Sequence, residues 1–258
     1  MGGAPPILSV HEAVKAFGAM RAVDGVTLTA ETGKITGLIG PNGAGKTTLF
    51  SAIAGETALT SGRVTFGGRD ITGLDAYGVY RLGLARTFQI PRPFPAMTVL
   101  ENVMVAATGQ SGERFWNTWL RPGLVRRQEE AIRARASDVI AFCNLTAVER
   151  NLAGAISGGQ KKLLELARVL MSSPSLILLD EPAAGVNPAL LDTLVEKIVE
   201  LNRRGTSFLV IEHNMDMVMS LCDRIIVLAQ GRVIAAGTPA EVAADPAVLD
   251  AYLGEVAA

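Results

Sequence analysis

Apolar residues fall in short unbroken runs toward both ends of the chain and at helical spacing between some of them. From Leu8 to Ala30 they alternate loosely about a turn near Gly18-Ala19, which predicts an antiparallel pair of strands. Ile35 to Ile39 is a continuous run that enters a glycine-rich loop and then a helix-compatible segment, Lys46 to Ala54. Arg63 to Phe66 predicts another strand. The runs Leu176–Leu179, Phe208–Ile211 and Ile225–Leu228 predict buried strands, because a parallel sheet covered on both faces needs apolar residues at every position. Between the first two, Leu190, Leu191, Leu194, Ile198 and Leu201 recur at helical spacing. Gln230-Gly231 separates the third run from Val233–Ala235 and predicts a hairpin.

The middle third breaks this α/β rhythm. Pro91, Pro93 and Pro95 crowd a loop, and Glu129 to Phe142 reads as an amphipathic helix. A mainly helical subdomain is therefore expected at 90–165, set within a core formed by 1–89 and 166–258.

Composition narrows the function classes. A chain of 258 residues supports one well-buried domain, with no internal repeat. Its formal charge of -1 is spread over interspersed acids and bases, which speaks against nucleic acid as a partner. The two cysteines, Cys143 and Cys222, lie in apolar stretches and predict buried thiols, with no disulfide framework or Cys-rich metal site. Met1 to Val10 lacks the features of a secretory signal, and no apolar run reaches 18 residues, so the chain is expected to be soluble or peripheral.

The segment from Gly40 to Thr47 fits the phosphate-loop pattern G-x-x-x-x-G-K-[ST] between a strand and a helix. Glycines let backbone N–H groups wrap phosphates, and the helix N-terminus adds positive potential. Gly40, Asn42, Gly43, Gly45, Lys46, Thr47 and Thr48 are the candidate nucleotide ligands, with Lys46 reaching the β/γ-phosphates and Thr47 the Mg²⁺. A second apolar strand ends in Asp180-Glu181, where Asp180 suits the metal shell and Glu181 is placed to polarise an attacking water. Ser157-Gly158-Gly159-Gln160 before a helical stretch is a further N-terminal anion site.

In this order, the phosphate loop, Ile156-Ser-Gly-Gly-Gln160 and Asp180-Glu181 resemble the ABC ATPases, whose signature Leu-Ser-Gly-Gly-Gln differs only at Ile156. The resemblance covers essentially the whole chain. It implies one ABC ATPase domain, an α/β P-loop NTPase fold with a mainly parallel core sheet, an antiparallel β subdomain and a helical subdomain. It implies ATP and Mg²⁺ as cofactors. It also matches Phe17 to the aromatic that stacks on adenine, Gln89 to the glutamine that touches the metal and attacking water, and His213 to the switch histidine at the γ-phosphate. The chain departs from the family where Asn187 stands for the usual aspartate of the loop after Asp180-Glu181.

ABC ATPases sandwich ATP between the phosphate loop of one subunit and the signature of another. One copy of each motif therefore implies pairing, with a second ABC ATPase subunit or with itself. Ala85-Arg-Thr-Phe-Gln89, Thr98-Val-Leu-Glu-Asn102, Asp180-Glu-Pro-Ala-Ala-Gly-Val-Asn-Pro188, Ile211-Glu-His-Asn-Met215, Ala251-Tyr-Leu-Gly-Glu255 and an insert at Gln110 to Gln128 bearing Trp116 and Trp119 look like the larger ATPase of branched-chain amino-acid importers. That resemblance implies two transmembrane permease subunits, an indirect extracytoplasmic solute-binding protein, and a peripheral place on the cytoplasmic membrane face. Urea, amide and lipopolysaccharide transporters share much of this pattern. A soluble ABC ATPase is disfavoured by the single motif set and the lack of a coiled-coil insertion.

Overall fold

The computed structural model describes residues 5–87, 92–107 and 122–256. Its contacts divide the chain into two compact units: Met1–Gln89 with Ser175–Ala184 and Ile198–Ala258, and Ile90–Pro174 with Gly185–Lys197.

The first unit holds two sheets. Strands β1 (Pro6–Phe17), β2 (Met20–Glu31), β4 (Ser61–Phe66) and β5 (Arg69–Asp70) form an antiparallel sheet in the order β2-β1-β4-β5. The other sheet runs β10-β9-β3-β8-β7-β6, built from β3 (Ile35–Ile39), β6 (Leu84–Arg86), β7 (Leu176–Asp180), β8 (Ser207–Ile211), β9 (Arg224–Ala229) and β10 (Arg232–Gly237). Its strands are parallel except β10, which pairs antiparallel with β9 through the predicted hairpin. Every residue of β3, β7 and β8 is buried, as their unbroken apolar runs require of strands covered on both faces. Leu176, Leu178, Leu209 and Ile211 face an apolar cluster shared with α1 (Lys46–Ile53) and the antiparallel sheet. The alternating residues Ile177, Leu179, Phe208 and Val210 are buried as well.

Short elements escaped the periodicity. Helix α2 (Ala76–Arg81), β5 and β6 are too brief to show a repeat. In the second unit, α3 (Val99–Val105) packs on α4 (Pro122–Phe142) and α5 (Gly158–Leu170), burying Val99, Val103, Ala136, Ile140, Leu163, Leu164 and Ala167. Helix α4 starts at Pro122, ahead of the predicted Glu129, because proline is tolerated in a first helical turn. The Thr98-to-Asn102 motif is structural: Thr98 and Glu101 form a capping box, while buried Asn102 donates to the Phe94, Met97 and Thr98 carbonyls. Helices α6 (Pro188–Arg203), α7 (Met215–Leu221), α8 (Pro239–Ala243) and α9 (Pro246–Val256) complete the described α-helices. Among the described residues no helix is long and apolar enough to cross a membrane.

Candidate nucleotide site

The registers Leu38↔Ile211 and Asp180↔Ile211 align the C-terminal ends of β3, β8 and β7. Three candidate segments, the phosphate loop, Glu212-His213 and Asp180-Glu181, therefore leave one sheet edge, the usual ligand side of an open α/β sheet.

Gly45 precedes helix α1, and its φ of 98° leads into a first turn with no side-chain cap. By contrast, Asp75, Thr98, Asn214 and Thr238 each close their own helix with a side-chain oxygen. An uncapped first turn leaves its amides for an anion. The loop is rigidly framed. A Cβ at Gly40 would overlap the Leu228 carbonyl oxygen and one at Gly45 that of Ala22, so neither position accepts a side chain. Gly231, in the β9–β10 turn, donates to the Ala44 carbonyl, and Asp24 N–H donates to Gly231 O. Hydrogen bonds from Arg21, then Arg232, hold the Asp24 carboxyl below its usual range. Lys46 is buried and donates to the Gly40 and Pro41 carbonyls at 2.7 and 2.8 Å. Thr47 is exposed, and Thr48 is half-buried. Asn42 and Gly43 are exposed at the loop tip.

Phe17 ends β1 and is 52% exposed, far above a core aromatic. The Lys15 ammonium lies 4.9 Å from its ring centroid and donates to the Ala58 carbonyl. The ammonium sits over one π-face, while about half of the residue stays open to solvent.

Asp180 is buried at the end of β7, and Glu181 follows with φ 48°, a left-handed conformation uncommon for a side-chain-bearing residue. The turn redirects Glu181 instead of letting it continue the strand's alternation, and His213 Nε2 lies 3.0 Å from its Oε1. Two partners of this site sit inside the segments Ala85–Gln89 and Ile211–Met215, yet residue pattern gives neither of them a role. Arg86 donates to Asp180 Oδ2 at 2.7 Å, to Ser51 Oγ at 2.9 Å and to Glu56, joining β7 to α1. Glu212 accepts three backbone hydrogen bonds from the loops on either side. Arg86 lies 94 positions from Asp180 and Glu212 lies 29 from Ala183, although Glu212 also holds its neighbours His213 and Asn214. Their roles depend on which strands become neighbours, and the local residue pattern does not report that.

In the second unit Ser157 and Gln160 form a reciprocal capping box at the start of α5. The two intervening glycines differ. A Cβ at Gly158 would meet nothing, so the backbone there is approachable from outside, whereas one at Gly159 would overlap Leu190 Cδ2. Asn187 accepts from Leu190 N–H at 3.0 Å and so caps the start of α6, a task that asparagine and aspartate perform equally. Gln89, Trp116 and Trp119 lie outside the described residues. His11 is exposed on β1.

A family model described as ABC transporter matches residues 23–184, a span that includes the phosphate loop, the Ser157 motif and Asp180-Glu181. The chain belongs to the ABC transporter family. It is an ATP-hydrolysing transporter subunit, and its α/β cassette binds nucleotide. A second model, described as branched-chain amino acid ATP-binding cassette transporter, matches residues 232–258 of the cassette. The probable branched-chain amino acid transport ATP-binding protein LivG of Archaeoglobus fulgidus is 41% identical over 252 residues, covering 96% of this cassette and 95% of its own length. The high-affinity branched-chain amino acid transport ATP-binding protein BraF of Pseudomonas aeruginosa is 39% identical, over 97% and 98%. Among solved structures, a nucleotide-free ATP-binding cassette from an ABC transporter superposes with a TM-score of 0.84 at 37% identity, covering 96% of this cassette and 99% of that chain. An ATP-binding cassette in its ADP conformation gives the same TM-score and identity, over 97% and 100%.

Proposed function

We propose that this cassette powers uptake of branched-chain or related amino acids from the cytoplasmic membrane face, together with two permease subunits and a second cassette, identical or related. An extracytoplasmic solute-binding protein would act on the permeases. The cargo reading is supported by the LivG and BraF relatives over nearly their full lengths. The chemistry rests on one observation: a left-handed Glu181 within 3.0 Å of His213, beside a buried Asp180, at the sheet edge that carries the phosphate loop.

Lys46 would exchange its two carbonyl acceptors for phosphate oxygens, a swap favoured because phosphate carries full charge. The uncapped turn of α1 would bind the same phosphates, and Phe17 would stack on the base. Among the described residues no cluster of three acidic, His or Cys side chains could hold a metal. That fits Mg²⁺, which is commonly held by one or two protein oxygens plus substrate phosphates. Thr47 and Asp180, with Gln89, would hold it, and it would neutralise phosphate charge. Glu181 would orient and deprotonate the attacking water, and His213, released from Glu181, would contact the γ-phosphate. Ser157, Gly158, Gly159 and Gln160 would present the α5 N-terminus to ATP on the partner. The helical unit would carry the resulting motion to the permeases.

The test is a tagged Glu181→Gln variant purified from membranes in mild detergent with MgATP. Bound ATP should be retained while turnover falls at least about 10²-fold, as removal of a general base requires, and two polytopic membrane proteins should co-purify. Normal turnover would remove Glu181 as the base, and purely soluble company would sink the transporter role.

A further inference from the structure

We infer that Glu212 is a positioning residue that clamps the loop after Glu181 to the loop bearing His213. It is 3% exposed and follows β8, whose last residue, Ile211, pairs with Asp180 and accepts from Glu181 N–H. Beyond that pair the two chains diverge. Glu181 turns left-handed, and Ala184 N–H closes the turn on the Glu181 carbonyl. The Glu212 carboxylate fills the gap: Oε1 accepts from Ala183 N–H at 2.6 Å, and Oε2 from His213 and Asn214 N–H at 2.9 and 3.1 Å. Asn214 in turn caps α7 by accepting from Met217 N–H. His213 is thus fixed on both sides, by Glu212 through its own amide and by a helix cap one residue on.

The chemistry demands a carboxylate. Three converging N–H donors need acceptors on both sides of one planar group, and glutamine supplies an oxygen on one side only. In Glu212→Gln the NH₂ must face either Ala183 N–H or the His213-Asn214 pair, donor against donor, so one loop is released while shape and volume are kept. Aspartate, one methylene shorter, cannot span the gap. The consequence for catalysis rests on the proposed roles of Glu181 and His213, whose mutual placement the clamp sets.

The experiment compares full-length wild type with Glu212→Gln by amide hydrogen exchange, fluorescent-ATP binding and steady-state hydrolysis. Exchange should accelerate about tenfold, the effect of one lost hydrogen bond, at Ala183-Ala184 or at His213-Asn214, with β7 and β8 unchanged. ATP affinity and KM should stay within about twofold while kcat falls about 10²-fold, the effect of misplacing a reacting group. Unchanged exchange at both loops, or acceleration spread through β7 and β8, overturns the clamp. Equal losses in binding and kcat overturn the positioning role. Glu181→Gln is run beside it: if that variant hydrolyses ATP normally, the base assignment fails, while the exchange pattern still decides the clamp.

Discussion

Arg86→Met should destabilise the nucleotide-free cassette more than any surface change. The Arg86 and Asp180 side chains are 8% and 4% exposed, with Nη2 2.7 Å from Oδ2. Methionine preserves much of the side chain's apolar length but leaves Asp180 buried without its guanidinium. Unit charges at that distance attract by about 6 kcal/mol at an effective dielectric near 20. Desolvation offsets much of that gain, so the net worth of the pair is small; removing one partner nevertheless costs about 3–5 kcal/mol, because the other charge stays buried. Arg86 also has a buried Nε without a hydrogen-bond partner, and its guanidinium lies 6.0 Å from the Phe50 ring centroid, so methionine relieves one unmet donor and forfeits a weak ring contact. The net loss should lower the melting temperature by roughly 6–20 °C, at about 2–4 °C per kcal/mol for a chain of this size. A double-mutant cycle with Asp180→Asn, read by thermal unfolding without nucleotide, isolates the pair. Melting of Arg86→Met within about 2 °C of wild type, or two substitutions that add without coupling, would refute a buried charge pair at this position.

Gly159→Ala should push Leu190 from its rotamer and cost about 1–3 kcal/mol by overpacking, whereas Gly158→Ala, whose Cβ meets nothing, should be close to neutral. Chemical denaturation of both variants decides this, and equal effects would refute the contact. The thiols of Cys143 and Cys222 are pushed up to about 12, mainly by burial. At pH 8 only about one in 10⁴ is thiolate, so a thiol reagent should label neither in the native chain and both after denaturation. Rapid native labelling would show that either site opens readily to solvent.

Much of this cassette is written locally. The Ser157–Gln160 cap closes within four residues, the phosphate loop shows in its glycine and lysine spacing, and each buried strand shows as an unbroken apolar run, so residue type and spacing were enough to place Lys46, Thr47, Asp180 and the start of α5. The family resemblance then carried the expectations for Phe17, Gln89 and His213, which spacing alone could not supply. The sheet order β3-β8-β7-β6 decided the rest. It brought Arg86 to Asp180 across 94 positions and Glu212 to Ala183 across 29, and it set Glu181 beside His213. No periodicity encodes such pairings, because they depend on which strands become neighbours. That choice is made by burial of whole faces, whereas sequence pattern reports only that each strand has faces to bury.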